Sequence, residues 1–229
     1  MAELAQAGER SGGGPRPEFP RPGHPRCREE GAGGVSKRVT IEREEPLSQG
    51  FVKLTRYTIG YQRRDGSVDR LVREVHDHGH GASVLPYDAR RGTVLLVRQF
   101  RLPAYLTDGG NGFIIEACAG LLDGDDPAVC ASREAEEELG IRVSNLRHMM
   151  TIYGSPGCVT EHIALFLADY DHDSRLSDGG GHAHEGEDIE VLEIPFAEMR
   201  QMVKDGLIVD AKTVLLSLFL ERELGLPPP

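Results

Sequence analysis

The segment "REAEEELG", Arg133 to Gly140, puts Glu134, Glu136, Glu137 and Glu138 into little more than one turn of an expected helix. Residues i and i+4 are neighbours on a helix, so Glu134 and Glu138 form a like-charge pair that costs about 0.2–0.5 kcal/mol in an exposed setting. The boundaries are well marked. Asp126 can cap the N-terminus, Pro127 suits the first helical position, and Gly140 follows the last turn as a stop. The helical period gathers Ala128, Val129, Ala131, Ala135 and Leu139 on one side and Arg133, Glu134, Glu137 and Glu138 on the other. A Glu-rich face often does no more than solvate a surface helix. The spacing offers a second reading, because acids on adjacent turns can share a divalent cation; Mg²⁺ takes one or two carboxylates together with waters and substrate phosphate oxygens.

The rest of the composition narrows the partners. A net charge of −11 over 229 residues argues against a nucleic-acid or anionic-membrane surface, which would require clustered Lys and Arg. A small phosphorylated substrate stays compatible if a metal or a few placed cations face it. Cys27, Cys118, Cys130 and Cys158 form no close C-x-x-C pair, so neither a zinc knuckle nor a thioredoxin motif is expected, and reduced thiols in a cytoplasm fit. Cys130 has carboxylate neighbours that disfavour its thiolate, which makes it structural. No apolar run is long enough for a spanning helix. The tracts His76, His78, His80 and His182, His184 lack a matching ligand spacing elsewhere and read as loop histidines.

Residues 1–36, rich in Gly, Pro and Arg, read as a disordered tail, and 225–229 as a disordered C-terminus. Residues 37–80 read as a β-hairpin region: "VKLTRYTIGYQ" alternates, "RRDG" turns, and "SVDRLVREVHD" returns. Residues 81–224 form the main domain. Strands are expected at "ASVLPYD", "GTVLLVRQF", "GFIIEACAG", "RHMMTIY", "HIALFLADY" and "DIEVLEIP", and helices at "FAEMRQMVKDG" and "KTVLLSLFLEREL". Mixed strands with helices late in the chain indicate an α/β or α+β sandwich.

Ala119 to Ile141, "AGLLDGDDPAVCASREAEEELGI", resembles the Nudix box, G-x5-E-x7-R-E-U-x-E-E-x-G-U with U aliphatic. Arg133, Glu134, Ala135, Glu137, Glu138, Gly140 and Ile141 fall in register. Ala119 stands where the pattern has Gly, with Gly120 one place late, and Asp125 stands where it has the first Glu. Further blocks, "VREVHDHGHGA", "RQFR", "SPGCVTE", "GGGHAHEGEDIEVLEIP" and "DAKTVLL", resemble the GDP-mannose hydrolase branch of nucleoside-diphosphate-sugar Nudix enzymes.

The resemblance implies a Nudix fold, an α/β/α sandwich with a mixed sheet, and an Mg²⁺-dependent hydrolase, with Mn²⁺ as a substitute. Its substrate would be a nucleotide sugar, GDP-mannose first, with ADP-ribose or other NDP-sugars as the alternative and a non-catalytic nucleotide sensor as the third reading. It implies metal ligands at Glu134, Glu138 and the Ala119 carbonyl, with Glu137 joining directly or through water. Arg133 is the box arginine, expected to act beside these acids. Glu187 is the preferred general base or an extra ligand; Glu161 binds the sugar or serves as base instead. Phe51, Arg73, Glu74, Arg101, Gly120, Glu161 and Lys212 match substrate-contacting positions, with Phe51 standing where a Tyr is used and Val72 where a Lys is common. The resemblance also implies a homodimer in which the N-terminal region crosses to the partner's site.

Overall fold

The computed structural model describes residues 38–182 and 186–227. The tail at 1–36 and His184 lie outside them. The expected C-terminal tail begins as a hydrogen-bonded turn, in which Gly225 N donates to Arg222 O and Leu226 N to Glu221 O.

The N-terminal region is a three-stranded antiparallel sheet, β1 (Val39–Gln49), β2 (Lys53–Gln62) and β3 (Val68–Asp77), in that order. The β2–β3 hairpin follows the alternation in the sequence. β1 adds a third strand that the alternation did not define: "VTIEREEPLSQ" is mostly exposed, carries Pro46, and pairs with two register shifts, features that suit an edge strand.

The main domain contains β4 (Gly81–Asp88), β5 (Thr93–Phe100), α1 (Leu102–Asp108), β6 (Phe113–Glu116), β7 (Cys118–Leu121), α2 (Pro127–Glu138), β8 (Ser144–Tyr153), β9 (His162–Asp169), β10 (Glu190–Pro195), α3 (Phe196–Lys204) and α4 (Ala211–Glu223). The path through its sheet is β10-β5-β4-β9-β8, with β4 and β9 parallel. β4 and β5 pair only at Tyr87↔Val94 and Asp88↔Thr93. Past that point they splay, β7 taking up β4 and β6 taking up β5. The opening between the splayed strands holds the candidate site. α1 was not expected from the sequence; it is short, with a proline in its first two positions and Gly109 in the left-handed region after it.

Strand alternation divides the core into two layers. Val84, Leu95, Val97 and Phe166 pack with Ala131, Ala135 and Leu139 of α2. On the opposite face Leu85, Leu96, Leu165 and Leu167 pack with Met199 of α3 and Leu216 and Leu220 of α4. The sheet is therefore covered by helices on both faces, the expected α/β/α sandwich.

Candidate active site

α2 begins as the sequence indicates: Asp126 accepts from Ala128 N, Pro127 opens the helix, and Gly140 follows its end. The expected division of its faces holds for Ala128, Ala131, Ala135 and Leu139, which pack on the core, and fails at Val129, Glu134 and Glu138. Val129 is exposed, whereas Glu134 is 8% and Glu138 2% exposed. Both acids turn toward β7 instead of solvent. Glu138 Oε2 accepts from Ala119 N at 3.1 Å. Glu134 lies so close to Gly120 that a Cβ there would sit 2.0 Å from its Oε1, so the glycine one place late in the box is the one that makes room for this carboxylate.

Arg133 is shared among the acids. Its Nη1 lies 2.8 Å from Glu134 and donates to Glu137 Oε2 at 2.9 Å, while Nη2 donates to Leu121 O at 3.2 Å. Asp125, at the first acidic position of the box, lies 3.7 Å from Arg133 Nε, an ion pair without a hydrogen bond. Glu137 also faces His182 Nε2 at 3.5 Å. Cys130 is buried; burial first, then Glu134, pushes its thiol up to about 11, in keeping with a structural role.

Burial pushes Glu134 up to about 7; Arg133 works against the shift, and Glu137 and Glu187 add to it. Burial likewise raises Glu138 to about 7, opposed by hydrogen bonds from Cys118 and the Ala119 N–H and reinforced by Glu134 and Glu187. Glu187 thus acts electrostatically on both box acids, and its Oε2 accepts from His182 N at 2.8 Å.

Among the described residues no three His, Cys, Asp or Glu side chains converge as a metal-binding group. Glu134 and Glu137 turn to Arg133, and Glu138 to a backbone N–H. The donor set nevertheless suits a hard divalent cation: buried carboxylate oxygens carry charge that one arginine offsets only in part.

A cleft runs from these acids in two wings that share Phe51, Arg101, Ala119, Gly120 and Leu121. The first, of about 720 Å³, includes Arg133, Glu134 and Glu187. The second, of about 770 Å³, includes Tyr153, Glu161 and Lys212. Phe51, 83% exposed, stands at the mouth of both. Glu137 and Glu138 line neither wing. Arg73 and Glu74 also stay off the cleft within one chain: Arg73 donates to Val72 O, and Glu74 pairs with Arg56. Of the histidines, His80 stacks on His162 with ring centroids 5.0 Å apart, and His78 lines the second wing.

Sequence reasoning missed Glu116. At the end of β6 this 4% exposed acid takes a bidentate pair from Arg101 and a hydrogen bond from Lys212. In "FIIEACAG" it is a lone acid in an apolar strand, and only the convergence of α1, β6 and α4 reveals its partners.

The sandwich, the splayed strands and the acidic helix define a Nudix-type hydrolase site, and residues 77–214 match the Nudix domain model. The chain belongs to the Nudix family. Residues 38–76 match the GDP-mannose pyrophosphatase NudK N-terminal domain. The chain is 46% identical over 187 residues to a GDP-mannose pyrophosphatase of Cronobacter sakazakii and 44% identical over 187 residues to one of Escherichia coli O1:K1. Each match covers 82% of this chain and 97% of the relative. A crystal structure of an ADP compounds hydrolase superposes with a TM-score of 0.65 at 17% identity, covering 84% of this chain and 97% of the other, a likeness of fold. Nudix hydrolases generally use divalent metals.

Proposed function

We propose that this Nudix hydrolase cleaves the diphosphate of a nucleoside-diphosphate sugar, foremost GDP-mannose, to GMP and mannose 1-phosphate. One observation carries the reading: a single cleft joins the buried acid Glu134 of α2, with Glu138 packed behind it one turn on, to the cations Arg101 and Lys212, as a metal-assisted site for a charged diphosphate requires. The similarity to GDP-mannose pyrophosphatases over most of the chain supports the choice of sugar nucleotide.

Glu134, Glu138 and the Ala119 carbonyl would hold Mg²⁺, with Glu137 as a further oxygen donor, Glu187 as an extra ligand where it is not the base, and Mn²⁺ as a substitute. When bound, the cation screens the charge of the diphosphate and lends Lewis acidity to the site. Arg101 offers phosphate oxygens the N–H groups that Glu116 leaves open, and Lys212 adds a point charge. Arg133 holds Glu134 and Glu137 in place. Glu187 takes the proton of the attacking water, with Glu161 in the second wing as the other candidate base or as a sugar ligand. Gly120 keeps the cleft floor open beside Glu134, and Phe51 offers a ring to the base.

The N-terminal sheet is proposed to carry Arg73 and Glu74 into the partner's cleft in a homodimer. The free thiols Cys118, Cys130 and Cys158 support a cytoplasmic setting, and no helix among the described residues is long and apolar enough to cross a membrane. The substrate assignment is tested by ranking kcat/KM for GDP-mannose, ADP-ribose, UDP-glucose and ADP-glucose. GDP-mannose is expected first; ADP-ribose in first place would keep the chemistry and change the substrate.

A further inference from the structure

One buried carboxylate gathers two cations of the cleft, Arg101 and Lys212. Glu116 accepts from Arg101 Nε at 2.7 Å and Nη2 at 3.2 Å, and from Lys212 Nζ at 2.5 Å. The two cations come from different elements: Arg101 is the residue before α1, and Lys212 lies in the first turn of α4. Two such charges side by side repel, and both side chains are rich in rotamers. Glu116 counters the repulsion and fixes the rotamers.

The junction is also tied through the backbone. Ala117 N donates to Thr213 Oγ1 at 2.7 Å, and Thr213 N donates to Asp210 Oδ2 at 3.0 Å. Asp210 Oδ1 lies 3.0 Å from Lys212 Nζ. The end of β6 and the start of α4 therefore hold one spacing. Donor capacity is left over. A guanidinium has five N–H groups, and Glu116 engages one on Nε and one on Nη2, leaving the second on Nη2 and both on Nη1; an ammonium has three, of which Glu116 and Asp210 can take two. Arg101 lines both wings of the cleft and Lys212 the second. A buried ion cluster is a poor device for stability alone, since desolvation offsets most of its attraction.

We propose that Glu116 is a positioning residue that sets Arg101 and Lys212 so that their remaining N–H groups receive the substrate's diphosphate already oriented. This deepens the proposed function and rests on it for the identity of the substrate. The test measures GDP binding by calorimetry and GDP-mannose hydrolysis in the full chain with Mg²⁺, for Glu116→Gln, Glu116→Asp, Arg101→Ala and the double variant Glu116→Gln/Arg101→Ala.

Glu116→Gln is expected to raise the Kd for GDP and the KM for GDP-mannose by about tenfold or more, with kcat changed by less than about threefold. The double variant is expected to lose less than the product of the two single losses, because Glu116 acts partly through Arg101. Glu116→Asp keeps the charge but draws it back by one methylene, so it gives a smaller rise in Kd; it carries the comparison if Glu116→Gln does not fold. A lowered thermal midpoint with Kd unchanged in the folded variants would show a structural role only and overturn the proposal, as would fully multiplicative losses or a wild type that does not bind GDP. A wild type that binds GDP without hydrolysing GDP-mannose removes the substrate assignment, while the Kd comparison still decides the role of Glu116.

Discussion

Glu134 and Glu138 set the electrical character of the site. Burial lifts both carboxyls from the ordinary 4.5 to about 7. Between those values the folded metal-free protein keeps protons that the unfolded chain has released, so their contribution to stability is present at low pH and lost as pH rises through about 7. A divalent cation takes the place of those protons. Mg²⁺ should therefore raise the thermal midpoint more at about pH 8 than at about pH 5.5, where it must compete with protons; equal gains at both would contradict the assignment of these acids. The spacing of the acids was legible in "REAEEELG", but their burial was not. A helical wheel sends charge outward, and only the approach of β7 at Ala119 and Gly120 turns Glu134 and Glu138 inward. Glu116 gave no signal for the same reason: its partners are 15 and 96 residues away in sequence.

The C-terminal end of α2 and the glycine-rich segment after Ser177 form one unit. Gly180 N donates to Glu138 O and Gly181 N to Glu137 O, while Leu176 N donates to Gly140 O. These bonds satisfy carbonyls that a helix end leaves open and bring the segment leading to Glu187 alongside the box acids. Gly140 lies at φ +66, and a Cβ there would meet Ser177 O at 2.4 Å. Gly140→Ala is expected to cost at least about 1–2 kcal/mol from the left-handed conformation alone and to lower turnover along with the thermal midpoint; an unchanged midpoint on thermal denaturation would contradict this coupling. Apolar runs marked β4 and β5, which bury both faces, and alternation marked the β2–β3 hairpin; the one strand expected at "GFIIEACAG" is divided into β6 and β7, because its two halves pair with different strands, β5 and β4. These signals missed β1, whose exposed edge carries no such pattern, and α1, whose seven residues span too few turns for a period to show.

At the scale of the molecule, the cleft of a single chain includes Phe51, Arg101, Glu161 and Lys212 but leaves out Arg73 and Glu74, and the N-terminal sheet exposes Val39, Ile41, Val68 and Val72. A three-stranded sheet with apolar side chains in water gains from a partner surface. Light scattering at working concentration should give the mass of a dimer, and a fully active monomer would remove the crossed arrangement. If Glu138 serves metal-assisted cleavage and not the fold, the decisive measurement is release of GMP and mannose 1-phosphate from GDP-mannose, with and without Mg²⁺, by the wild type and Glu138→Gln. Mg²⁺-dependent release is expected from the wild type and, for the variant, a loss of at least about a hundredfold with the fold intact by circular dichroism. Full Mg²⁺-dependent activity in a folded Glu138→Gln would contradict that role.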